Sequence, residues 1–329
     1  MDGLRLVAIE AVRCPVVSRK GSIVHREAER IWTRMNMRTF ALLLSFVLCG
    51  GCLGAEPKPA STPLQAKEPS YAGKTLSEWT VLAKDKDEEV RRCASQALGK
   101  IGPAAIPALA ELLKDKDSEV RDVAIVAFWK VGPTAIPTLT ALLKDKDEHV
   151  RQAASLAVGA IRGSTAIPAI TELLKDKNEY VRLAAANALG NIGSDAAAAV
   201  PVLTELLKDR DKLIRYASAD ALAKIGAQAK TAVQALTELL NDKDSDVRQA
   251  AVRALGSIGP DAKTAIPVLI DLLKDKDWLV RDYAVWTLGN IGPDAKTAIP
   301  SLTPLLNDKN EFIRKATAEA LDKIKKETK

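Results

Sequence analysis

One short pattern recurs along most of this chain, and no other feature restricts the fold as strongly. A valine or isoleucine followed by arginine appears at Arg91, Arg121, Arg151, Arg182, Arg215, Arg248, Arg281 and Arg314. The steps between them are 30, 30 and 31 residues, then 33 four times. The variation sits in one loop, which lengthens from "GPAAIP" at 102–107 to "GPDAKTAIP" at 259–267. Such a period, with its slack confined to one loop, marks a unit too small to bury its own apolar face, copied so that neighbours cover one another.

Each unit reads as two helices. "AIPALAELLKD" (105–115) carries apolar residues at helical spacing, with a proline suited to a first turn. "DSEVRDVAIVAFWKVG" (117–132) is the second, closed by a glycine suited to a helix end. Four residues before each arginine stands Asp87, Asp117, Asp147, Asn178, Asp211, Asp244, Asp277 or Asn310, all side chains that cap a helix start. Aromatic residues make up only 4% of the chain and charged residues 27%, a mix that suits helices and starves a sandwich or barrel. The predicted fold class is all-α, a solenoid of about eight helix pairs.

Six residues before each arginine an aspartate never varies: Asp85, Asp115, Asp145, Asp176, Asp209, Asp242, Asp275 and Asp308. An acid and an arginine fixed in every copy can pair within or between units and build a structural ladder along the stack. Eight copies of one pair argue for architecture, because a catalytic centre needs a unique constellation.

The motif L-L-K-D-K-D-x-x-V-R-x-x-A-x-x-A-L-G-x-I-G, as in "LLNDKDSDVRQAAVRALGSIG" (239–259), resembles HEAT repeats. The resemblance is to the short type found in the phycobilin-lyase-like family, and it covers roughly residues 71–325. It implies second helices on the concave side and an Asp–Arg ladder. Gln234 departs from the usual proline, and the last copy ends "LDKIKKETK" without glycine. That polar end, like "GKTLSEW" (73–79) at the front, suits a cap on an open stack.

The front end reads as an address. "MNMRTFALLLSFVLCGGC" (35–52) has a basic start, an apolar run too short to span a bilayer, then small residues and a cysteine. It resembles a bacterial lipoprotein signal, which implies lipidation at Cys52; Cys49 stands where such signals usually have an aliphatic residue. An ordinary secretory signal cleaved nearby is the other reading. Residues 1–34 precede a normal leader and read as a mis-assigned start or an extension, and 53–70, with four prolines, reads as a tether. Residues 71–329 form the solenoid. The expected location is the cell envelope, on the periplasmic side or the cell surface, held by the lipid.

Little in the remainder points to chemistry. Residues 1–52 hold eight of the 48 basic and four of the 42 acidic residues, leaving 40 against 38, and this near-neutral body argues against nucleic acid as a partner. His149 is the one histidine in the repeats and reads as exposed, so neither a metal site nor a Ser-His-Asp triad is expected. "LGxIG" reads as helix-closing glycine rather than a phosphate loop. The four cysteines make no disulfide framework, Cys93 reading as a small buried residue. No cofactor and no enzymatic activity are expected.

Function should then lie where the copies differ. On the second helix the variable positions lie three before, one after and five after the arginine, on one face. Copy seven puts Trp278, Asp282 and Trp286 there, two amphipathic rings flanking a carboxylate; Leu183 and Tyr216 lie on the same stripe in copies four and five. Packing against the neighbouring copy is the rival role for these tryptophans, and Tyr283 falls at a packed position. Trp129 stands where five copies have glycine and reads as packing. The expectation is a membrane-anchored scaffold that holds a protein or peptide in its concave groove. The alternatives are a phycobilin-lyase-like or chaperone-like enzyme subunit and a carbohydrate-binding envelope protein.

Overall fold

The structure, a computed structural model, describes residues 68–326. The leader, Cys52 and most of the tether lie outside them. Pro69–Lys329 form one compact unit.

The repeats open on a two-residue-strand hairpin, β1 (Ser70–Tyr71) and β2 (Lys74–Thr75), paired antiparallel. Ala72 and Gly73 turn it with positive φ. Thr75 then starts α1 (Leu76–Leu82) with a reciprocal capping box to Glu78. Trp79 closes this end: its ring is buried, and its Nε1 donates to the Tyr71 carbonyl at 2.9 Å.

Seven more first helices follow: Ile106–Leu112 (α3), Ile136–Leu142 (α5), Ile167–Leu173 (α7), Val200–Leu206 (α9), Val233–Leu239 (α11), Ile266–Leu272 (α13) and Ile299–Leu302 (α15). Their partners are Glu88–Ile101 (α2), Ser118–Val131 (α4), Glu148–Ile161 (α6), Glu179–Ile192 (α8), Lys212–Ile225 (α10), Ser245–Ile258 (α12), Trp278–Ile291 (α14) and Glu311–Lys325 (α16). Every second helix is capped by the residue foreseen, its side chain accepting a backbone N–H from the first turn. The first helix of the last repeat is short because Pro304 has no N–H to continue it, and the chain runs on as a 3-10 turn over Thr303–Asn307.

The long linkers of repeats four to seven absorb their three extra residues as 3-10 turns, such as Gly259–Ala265. These turns are pinned by fully buried alanines, Ala262 and Ala265 in that case. The core is a row of Leu, Ile, Val and Ala between the two helix layers. Successive second helices pack broadly on one another while successive first helices touch sparingly, so this unit bends with the second helices inside. Among the described residues no single helix is long and apolar enough to cross a membrane. Cys93 is buried in α2, as a small core residue should be.

Candidate binding face of the second helices

The invariant pair positions everything else. Each arginine turns its Nη1 back onto two loop carbonyls of its own repeat; Arg215 reaches Asp209 O at 2.9 Å and Arg210 O at 3.1 Å. Its Nε and Nη2 then take the carboxylate of the next repeat, Asp242, at 2.7 and 3.1 Å. The same inter-repeat pairing joins Arg91 to Asp115, Arg151 to Asp176, Arg182 to Asp209 and Arg248 to Asp275. Each aspartate also accepts the N–H of the cap residue two places on, as Asp242 does from Asp244 at 2.9 Å.

Burial pushes the carboxyls of Asp115, Asp176, Asp242 and Asp275 up. The facing guanidinium and the cap N–H outweigh it and hold all four below the ordinary aspartate value. Arg91 and Arg151 are raised, chiefly by the hydrogen bond to their aspartates.

Close approach of the second helices sets their spacing. A Cβ placed on Gly159 would stand 2.6 Å from the Ala188 backbone, and one on Gly99 would stand 2.9 Å from that of Ala127. The first glycine of "LGxIG" is therefore a contact point inside the helix, while the second ends it; Gly102, for example, has φ 91°. This corrects the reading of both as helix-end residues.

The expected stripe is the surface the layer presents. Trp278 is 41% exposed and meets Phe312 of the last repeat, ring centroids 6.2 Å apart and tilted by 32°. Two turns along α14, Trp286 is 36% exposed with its six-membered ring over the backbone of Gly256 on α12. Thr287 and Asn290 fix that crossing by donating to Val252 O at 3.0 Å and Gly256 O at 3.2 Å. Packing is thus true of Trp286 without hiding it: one face rests on the previous repeat and the side chain stays partly exposed. Tyr283 is half-buried.

Family comparison follows from this geometry. The pattern of the family described as HEAT repeats matches residues 71–129, 117–179, 167–256, 200–281 and 266–329. The chain belongs to the HEAT-repeat family. Two crystal structures of engineered proteins are similar to it. One matches at 29% identity and a TM-score of 0.54, covering 76% of this chain and 78% of that one. The other matches at 28% identity and a TM-score of 0.51, covering 58% of this chain and 96% of that one. No curated protein matches.

Within the HEAT-repeat stack, Trp278, Asp282 and Trp286 share one helix face, whereas Tyr216 (exposed) and Leu183 (half-buried) lie on α10 and α8, repeats away. Sequence reasoning passed over Tyr180, Leu213 and Phe312, all exposed at the position two before the arginine. Their signal was available, since that position varies as freely as its neighbour. Trp129 is 55% exposed, which corrects its assignment to packing. A ring cannot enter the narrow gap that glycine leaves elsewhere, so it turns outward. His149 is exposed, and among the described residues no group of three or more His, Cys, Asp or Glu side chains could hold a metal.

Proposed function

We propose that this HEAT-repeat protein is a non-catalytic scaffold that holds a protein or peptide partner along its second helices while tethered in the cell envelope. One observation carries the reading. Trp129, Tyr180, Tyr216, Trp278, Trp286 and Phe312, the exposed rings of the stack beyond its opening hairpin, all stand on the layer inside the bend. Exposed apolar side chains scattered singly need no explanation, but rings gathered on one concave layer fit the anchors of a protein interface. The 30- to 33-residue period favours the short, phycobilin-lyase-like type of repeat.

The tether reading rests on Gly50-Gly51-Cys52 behind an apolar run and on the prolines of 53–70. Residues 1–34 then lie upstream of the working start. Metabolic labelling with a fatty acid tests the anchor: label that survives Cys52→Ser would defeat it. For the scaffold, full-length protein and a Trp278→Ala/Trp286→Ala variant of equal thermal stability serve as baits in envelope extract. Partners lost only with the variant support the face, and identical captures move the function elsewhere.

A further inference from the structure

Two devices hold one repeat to the next. One is the arginine–aspartate pair across the joint. The other is the close approach of successive second helices at the residue eight after the arginine, where glycine or alanine lets them meet. Between repeats five and six Ala223 stands at that place and the Arg215–Asp242 pair is made. Between repeats seven and eight the pair is absent among the described residues, yet the approach is kept. A Cβ on Gly289 would stand 2.9 Å from the Ala320 backbone, and Lys323 Nζ donates to Asn290 Oδ1 at 3.0 Å.

The joint between repeats two and three lacks both devices. Arg121 donates to its own loop, to Asp115 O at 2.7 Å and Lys116 O at 3.0 Å, but among the described residues no ion pair joins it to Asp145. Asp145 accepts the cap N–H of Asp147 at 3.0 Å. Arg121 is half-buried, whereas Arg91 and Arg151 on either side are buried. At the contact place stands Trp129, its ring exposed, and α4 and α6 touch least of all successive second helices. On the outer side the order reverses, for α3 and α5 are the successive first helices in closest touch. This joint is therefore held along the outside and slack along the inside. The slack runs from the first turn of α4, where the ladder is interrupted, to its last turn, where Trp129 stands.

We infer that the joint is a hinge, about which repeats one and two swing as one body against repeats three to eight, with the α3–α5 contact as fulcrum. In a stack whose repeats touch only their neighbours, compliance collects at the weakest interface. At the other joints a swing must open a largely buried ion pair and strand its charges, pull apart helices in close contact, or both. Here there is no such pair to open, and the inner helices already touch least. Motion about one retained edge is ordinary hinge geometry. The hinge does not depend on what the inner face holds.

Double electron–electron resonance on the full-length chain tests it. Spin labels at Lys86→Cys and Lys146→Cys straddle the joint. Labels at Arg210→Cys and Lys276→Cys span as many repeats where both devices are in place, and all four side chains are exposed. Cys14→Ser, Cys49→Ser, Cys52→Ser and Cys93→Ala keep label off the native thiols. Each pair lies about 20 Å apart, two helix spacings. The first distance distribution should be about twice as broad as the second. Trp129→Ala, which gives this joint the residue that repeat five has in Ala223, should narrow the first towards the second, and so should Trp129→Gly. Thermal unfolding of the labelled chains checks that each is folded. Equal widths in the chain that keeps Trp129 would overturn the hinge, and so would a broad first distribution that persists in both Trp129 variants.

Discussion

Replacing a helix-interior glycine by alanine ordinarily stabilises a protein by about 1 kcal/mol, because the unfolded chain loses freedom and alanine favours the helix. At Gly159 the structure reverses that sign. The new methyl would stand 2.6 Å from Ala188 Cα and 2.9 Å from its Cβ, and backbone on α8 cannot rotate aside as a side chain can. Forcing α6 and α8 apart costs about 1–3 kcal/mol, so Gly159→Ala should destabilise by about 1 kcal/mol net.

Gly190→Ala meets Ala221 at 3.0 and 3.3 Å and needs only tenths of an ångström, so its two effects should nearly cancel. Repeat five already has Ala223 at the matching place, and Ala223→Gly should cost only the propensity, about 1 kcal/mol. Urea unfolding followed by circular dichroism reads these differences as midpoint shifts of about 0.3–1 M per kcal/mol. Stabilisation of Gly159→Ala by the full propensity gain would refute the close-approach argument.

Arg215→Ala strands the largely buried Asp242 carboxylate and two loop carbonyls, and should cost about 3 kcal/mol in the same assay; a loss under 1 kcal/mol would reduce the ladder to decoration. The lowered values of Asp115, Asp176, Asp242 and Asp275 mean that the folded state binds their protons less readily than the unfolded chain does. Their stabilisation is therefore complete above the ordinary aspartate value of 3.8 and is lost as pH falls through the lowered ones, which thermal melts between pH 6 and pH 2 should show. α4, which carries Trp129, and α6 make the least extensive contact of all successive second helices. Trp129→Gly would give this pair the glycine that lets Gly99 and Gly159 approach their neighbours, and should slow amide exchange in both helices; faster exchange would break the link between Trp129 and the wider gap.

The helix pairs, their caps and the end caps were readable because each depends on local residue type: a carboxylate before a helix, a proline in a first turn, a polar finish. Between repeats the sequence was silent on direction. An Asp and an Arg six residues apart look like an intra-repeat pair, yet the arginine gives its own repeat only carbonyl contacts and saves its carboxylate bond for the next. The double duty of "LGxIG" was hidden for a similar reason, since one glycine answers to backbone dihedral and the other to a helix some 30 residues away. For the face, spacing placed Trp278 and Trp286 on one side of α14. It could not show Phe312 meeting Trp278 across a repeat boundary.

The direction of the ladder makes the two ends of the array unequal. Each arginine is supplied upstream and each bridging carboxylate downstream. Deleting copies from the front leaves the new leading aspartate as Asp85 stands now, partly open to water and accepting only its cap N–H, while deleting copies from the back leaves an arginine still held by its own loop carbonyls. Neither end sheds copies freely, because the front is closed by its hairpin and Trp79 and the back by the last helix, whose Ile313, Leu321 and Ile324 are buried in the stack while its outer side is polar. Array length is therefore adjustable between the two caps, where an inserted copy brings its own arginine for the next unit and its own aspartate for the one before.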